Sequence, residues 1–156
     1  MNLCSSVLLA LLLMCYGVGN INCFTAPEDS IDMLSLLDFK QAITNDPSGA
    51  LSSWNTSIHH CKWRGVRCTP KNRGRVTAFN LAGEGLSGPI TASVANLTFL
   101  HTLNLSGNHF SGQIPPLDNL QKLQVFDLSS NSLDGNIPDS IVNCSKLREK
   151  LGPLRE

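Results

Sequence analysis

Between Leu100 and Leu147 the chain states one pattern twice, and a looser copy precedes it. Leu100-His-Thr-Leu103-Asn-Leu105-Ser-Gly-Asn108-His-Phe110-Ser-Gly112-Gln-Ile114-Pro115 aligns with Leu123-Gln-Val-Phe126-Asp-Leu128-Ser-Ser-Asn131-Ser-Leu133-Asp-Gly135-Asn-Ile137-Pro138 at every apolar, Asn, Gly and Pro landmark. The looser copy runs Val76-Thr-Ala-Phe79-Asn-Leu81-Ala-Gly-Glu84-Gly-Leu86-Ser-Gly88-Pro-Ile90, and starting positions 76, 100, 123 and 147 set periods of 24, 23 and 24 residues. A unit of this size cannot bury its apolar face alone, so copies have to stack on one another.

The period is that of a leucine-rich repeat, and the expected fold is an α/β solenoid with a short parallel β-sheet. In Leu103-x-Leu105 the alternation turns both leucines inward from a strand. The residues left pointing outward are Ala78, Asn80 and Ala82, then Thr102, Asn104 and Ser106, then Val125, Asp127 and Ser129. This face is the candidate ligand-binding surface. Asn108 and Asn131 follow the strands where the chain turns, and their amides can satisfy backbone groups whose burial unpaired would cost about 1 to 3 kcal/mol each. Gly112 and Gly135 allow backbone angles closed to other residues, and the prolines after Ile114 and Ile137 mark a second, irregular side of the coil.

Ahead of the repeats, Val7 to Cys15 is an uninterrupted apolar run followed by small residues, too short to span a bilayer comfortably and shaped like a secretory signal. The expected organisation is a signal over 1–23, a cap over 24–75, three repeats over 76–147 and an incomplete fourth over 148–156. No second apolar stretch of spanning length follows, so the chain is expected to be secreted. In the cap, Asp29 and Ser30 can start a helix carrying Met33, Leu34, Leu36, Leu37 and Ile43 at helical spacing, which Asp46-Pro47-Ser-Gly49 stops. Leu51-Ser-Ser-Trp54 looks like a further short helical turn, and Trp54 and Trp63 are the expected lids over the first coil.

The wording Asn-x-x-Ser-Gly-x-Ile-Pro within this period resembles the plant-type leucine-rich repeat of receptor-like kinase ectodomains. So does the cap, with Leu36-Leu37-x-Phe39-Lys40, Asp46-Pro47, Trp54 and Cys61-x-Trp63-x-Gly65-Val66-x-Cys68. The resemblance covers about Ile31 to Leu147. It implies an extracellular, disulfide-closed helical cap with Cys61 and Cys68 bridged, as export to an oxidising compartment also favours. The rival use of these cysteines is a metal site with His59 and His60. Cys4 and Cys15 fall in the signal, Cys23 at its edge, and Cys144 at a buried apolar repeat position.

The resemblance further implies recognition without catalysis, in a lineage that perceives defence or developmental signals. Partners would be a peptide, carbohydrate or protein ligand and a leucine-rich-repeat co-receptor. The location would be the apoplast, or the plasma membrane if the chain is part of a longer receptor whose kinase lies beyond it. The alternative is a short secreted protein, or a remnant of a receptor gene with no activity of its own. The turn Asn is replaced by Glu84 in the first repeat, the second is one residue short around Pro115-Pro-Leu117, and Lys150 stands where the fourth strand needs an apolar residue.

Net charge is zero and 15% of residues are charged, which leaves nucleic-acid binding without electrostatic support. Gly83-Glu-Gly85-Leu-Ser-Gly88 imitates a phosphate-binding loop, but Pro89 follows at once and no helix opens. Histidines 59, 60, 101 and 109 lack an acidic or nucleophilic partner at a recognisable spacing, so neither a catalytic set nor a cofactor is expected. Asn55, Asn96, Asn104 and Asn143 head Asn-x-Ser/Thr sequons and are candidate glycan acceptors in a secreted chain.

Overall fold

A computed structural model of the chain describes residues 28–72, 74–134, 139–142 and 149–151. The expected signal segment, Gly135, Ile137, Asn143, Cys144 and Leu147 lie outside the described residues. Helix α1 (Glu28–Ala42) comes first, followed by strands β1 (Val66–Cys68), β2 (Val76–Asn80), β3 (Ser87–Gly88), β4 (Thr102–Asn104), β5 (His109–Gln113), β6 (Val125–Asp127) and β7 (Ser132–Asp134). A short helix α2 (Asp139–Val142) and strand β8 (Glu149–Leu151) complete the described chain. Among the described residues no helix is long and apolar enough to cross a membrane.

The strands form two sheets, one per side of the coil. The first has the order β1-β2-β4-β6-β8 and is parallel from β2 onward, with β1 added antiparallel at its edge. Equivalent repeat positions face each other directly: Ala78 pairs with Thr102 and Thr102 with Val125, then Asn80 with Asn104 and Asn104 with Asp127. The ladder continues past the strands, Leu81 donating to the Asn104 carbonyl and Leu105 to that of Asp127, each at 2.9 Å. The fourth coil contributes a strand despite Lys150, which pairs with Phe126 in backbone register. The outer edge of β6 is therefore paired.

The second side of the coil is more regular than the prolines imply, because β3, β5 and β7 form a three-stranded parallel sheet. Its register is sheared. Gly88, two residues beyond Leu86, pairs with Phe110, the counterpart of Leu86, and Gly112 pairs with Leu133 in the same way. Two residues is the side-chain period of a strand, so the shear leaves Leu86, Phe110 and Leu133 all facing inward and buried.

Inside the coil Leu81, Leu103, Leu105, Leu100 and Leu123 are fully buried, as the alternation requires. The N-terminal end is plugged by aromatic side chains. Phe39 of α1 meets Phe79 edge-on at 5.0 Å and Phe110 at 5.8 Å, while Trp54 stacks on Trp63 at 5.2 Å and leans on Phe79. Both indoles bury their rings and satisfy their N–H groups, Trp54 donating to the Arg64 carbonyl (3.1 Å) and Trp63 to that of Ile58 (3.0 Å). Residues 51–54 form a series of turns rather than a helix, and Asp46 organises them by accepting from the Ala50 and Leu51 amides at 2.9 and 3.0 Å.

Helix α1 departs from expectation in which face it buries. Leu34 is the most exposed large apolar residue among the described residues, whereas Asp32 is fully buried, as are Leu36 and Phe39. The reason is a partner 43 residues away: Arg75 donates from Nε to Asp32 Oδ2 and from Nη2 to Asp32 Oδ1, both at 3.0 Å. The Val76 amide adds a bond to the same carboxylate at 2.8 Å, tying the cap helix to the entry of the first repeat strand.

After α1 the chain docks on the second sheet, Thr44 donating to the Ser87 carbonyl and Ser87 to that of Asn45. This approach requires glycine at position 88. Gly88 has φ of +132°, and a Cβ there would lie 2.6 Å from the Ala42 carbonyl oxygen and 3.2 Å from the Ile43 Cα. Gly88→Ala is expected to destabilise the fold by more than about 1 kcal/mol, read as an earlier urea midpoint. A midpoint equal to wild type would mean that the cap does not pack here.

Candidate functional site

The outward residues of the first sheet lie in straight columns across the coils, as the in-register pairing dictates. Strand β1 widens this face at its N-terminal end, since Arg67 pairs with Ala78 and Val66 with Phe79. The result is a depression of about 540 Å³ lined by Gly65, Val66, Arg67, Ala78, Asn80, Ala82, Glu84 and Thr102. Its floor is small because Gly65 brings two backbones together: Asn80 donates to the Gly65 carbonyl at 2.7 Å, and a Cβ on Gly65 would sit 2.4 Å from the Asn80 carbonyl oxygen. A φ of +79° also suits glycine there.

Charge in the depression is uneven. Glu84, at the position of the turn asparagine in the other repeats, forms an ion pair with Arg64 at 2.8 Å and accepts from the Ser48 hydroxyl at 2.9 Å. The substitution thus exchanges a role within the coil for a link to the cap. Arg67 is exposed and has no charged partner among the described residues. The depression therefore presents one uncompensated positive charge beside polar Asn80 and Thr102.

Of the nine outward candidates, Ala78, Asn80, Ala82 and Thr102 line this depression. Asn104, Ser106, Val125 and Ser129 continue the face, half-buried. The polar residues of the central column are partly engaged within the fold. Asn80 accepts from the Ala82 amide (3.1 Å), Asn104 from the amide and hydroxyl of Ser106 (3.0 and 2.7 Å), and Asp127 from those of Ser129 (3.0 and 2.6 Å). Each closes the turn after its strand. Asp127 is buried at 7% exposure, less available than its outward position implies, and its Oδ1 is engaged by Ser129.

Gly65, Val66, Arg67 and Glu84 were not among the sequence candidates. The alternation Val66-Arg67-Cys68 after a glycine is a strand signal, but it is too short to stand out beside the cysteine spacing.

Cys61 and Cys68 are joined in a disulfide with their Cα atoms 5.4 Å apart. Donor atoms of His59, His60 and Cys61 lie within 4.8 Å of one another, but the bridged Cys61 Sγ cannot serve as a thiolate ligand. His60 is buried and its ring stacks on His59 at 4.5 Å, so it belongs to the cap interior. The turn after Gly83 leads into β3, which holds Gly88, and not into a helix, removing the geometry that a phosphate cradle needs. Asn55 is exposed in a turn, Asn96 is exposed at the end of a 3-10 turn (Ala92–Asn96), and Asn104 is half-buried on β4.

Comparison with known proteins places this architecture. Residues 30–69 match the leucine rich repeat N-terminal domain, and residues 99–119 and 122–144 match the leucine rich repeat. The leucine-rich repeat receptor-like protein kinase PXC2 of Arabidopsis thaliana is 41% identical over 125 residues, which is 78% of this chain and 13% of that protein. Among solved structures, the BIR2 ectodomain from Arabidopsis thaliana aligns with a TM-score of 0.53 and 29% identity over 74% of this chain and 76% of that one. The Arabidopsis receptor kinase HAESA, solved in complex with the peptide hormone IDA and the co-receptor SERK1, aligns with a TM-score of 0.52 and 28% identity over 74% of this chain and 24% of that one. The chain spans about an eighth of the length of the receptor kinase it matches, PXC2.

Proposed function

This chain belongs to the leucine-rich-repeat proteins of the plant receptor-kinase ectodomain type, and we propose that it is an extracellular recognition module that binds a peptide on its concave sheet without catalysis. The observation that carries this is the depression at the N-terminal end of the sheet, with a free guanidinium over a floor of small side chains. The in-register columns set Asn80 beside Asn104 and Ala78 beside Thr102, so the two side-chain NH2 groups and the Thr102 hydroxyl can hydrogen-bond to an extended backbone laid across them. The HAESA complex supports a peptide as ligand and a second leucine-rich-repeat protein as co-receptor by kinship alone. Signalling, and any kinase activity, would belong to a longer protein of which this fold is the recognition end.

Selection from a displayed random peptide library against the full chain tests the proposal. Peptides should be recovered whose affinity falls about ten-fold or more in Ala78→Trp, which fills the depression, a loss of about 1.4 kcal/mol. Recovered peptides indifferent to Ala78→Trp and to Arg67→Glu would remove the concave face as the binding site.

A further inference from the structure

We propose that Asn96 carries an N-linked glycan whose first sugars lie over the outer face of α1, an inference that rests on the extracellular reading above. Two independent observations converge on it. Helix α1 leaves Ile31 and Leu34 exposed at 44% and 58%, although its remaining large apolar residues are buried or packed on the core. The acceptor asparagine of the sequon Asn96-Leu97-Thr98 is itself exposed and stands against the same turn of helix.

The contact is specific. Asn96 Nδ2 donates to Ser35 Oγ at 3.3 Å, Ser93 Oγ donates to the Ser35 carbonyl at 3.3 Å, and Ser35 Oγ donates to the Ile31 carbonyl at 2.8 Å. At about 100° per residue, Ile31 and Leu34 project from the helix on the face adjoining Ser35. A sugar joined to Asn96 Nδ2 therefore begins beside Ser35, next to the exposed pair. The C–H faces of a pyranose can cover aliphatic side chains while its hydroxyls keep the surface wet, which relieves an exposed apolar patch without a protein partner.

The chemistry is a transfer from a polyprenyl-pyrophosphate-linked oligosaccharide. Asn96 Nδ2 bonds to C1 of the first N-acetylglucosamine, the C1–O bond breaks, and the lipid pyrophosphate leaves with the electron pair. The amide loses one proton to a base. Its second N–H survives and can keep the bond to Ser35. Transfer occurs on the nascent chain, before Thr98 Oγ1 accepts from Arg75 Nη2 in the folded protein.

The full chain, secreted from plant cells and released from its glycans by a peptide-N-glycosidase in heavy-oxygen water, should show residue 96 converted to labelled aspartate. Asn96→Gln should increase binding of an apolar-surface dye about two-fold or more. Adding Ile31→Ser and Leu34→Ser to that variant should return the dye signal to the wild-type level. A glycan on Asn55 with Asn96 bare would overturn the inference and leave the extracellular reading standing, whereas bare asparagine at all four sequons would overturn both. A glycan at Asn96 whose removal leaves the dye signal unchanged would overturn its covering role.

Discussion

Arg75→Leu is expected to lower the stability of the fold by about 3 to 5 kcal/mol, because it leaves the Asp32 carboxylate buried without its counter-charge. Asp32 is wholly enclosed, and the Arg75 side chain is 7% exposed. The guanidinium also donates to Thr98 at 3.0 Å and lies 4.5 Å above the Phe99 ring, so it joins the cap helix, the first strand and the segment leading into the second. Asp32→Leu should be similarly damaging. The double variant separates pairing from packing. With both charges gone, the main orphan is the Val76 amide, at about 1 to 3 kcal/mol, so the double loss should be smaller than that of either single change. Urea titrations in which the two single losses simply add would mean that the pair is not coupled.

Asn108→Ala should cost about 2 to 6 kcal/mol, the penalty of two buried backbone groups at about 1 to 3 kcal/mol each. Its amide donates to the carbonyls of Leu81 (2.7 Å), Leu105 (2.9 Å) and Ser106 (3.2 Å), and its oxygen accepts from the Leu86 amide (3.0 Å). Leu105 keeps a second donor in Asn131, so the groups stranded are the Leu81 carbonyl and the Leu86 amide. Asn108→Asp should be worse than alanine, since a carboxylate would face three carbonyl oxygens. Glu84→Ala is the contrast: this residue fills the equivalent position but bonds to Arg64 and Ser48, and its partly exposed pair should be worth about 1 kcal/mol or less. Chemical denaturation of the three variants checks the order, and an Asn108→Asp protein as stable as wild type would show that the amide does not serve as a donor here.

Residues that repeat every 23 or 24 positions made the coil legible, because the same inward leucines and turn asparagines recur and each reports a local requirement. Asn108 bonds as its type and place imply, and the plug of Trp54, Trp63 and Phe39 follows from the need to cover the first coil. Pairings that occur once were opaque. Nothing near Asp32 announces Arg75, so helical spacing alone groups Leu34 with the other apolar residues and is silent on Asp32. Likewise β1 is three residues long, and its place beside the outward face of the first sheet depends on the close approach at Gly65, a tertiary fact. The sheet on the second side escaped notice because its strands are short and broken by glycine and proline, which periodicity treats as loop.

The unsheared register of the first sheet bears on what a bound chain can be read against. Its columns present one coil every 4.7 to 4.9 Å or so, while an extended polypeptide laid along them advances about 3.3 to 3.4 Å per residue. The two scales form a vernier, returning to phase after roughly three ligand residues for every two coils. With ligand side chains alternating toward and away from the sheet, no fixed correspondence of one residue to one repeat can arise. Specificity on such a face is a property of phase, so lengthening a ligand by one residue between two anchors would disturb recognition more than exchanging a side chain that falls between coils.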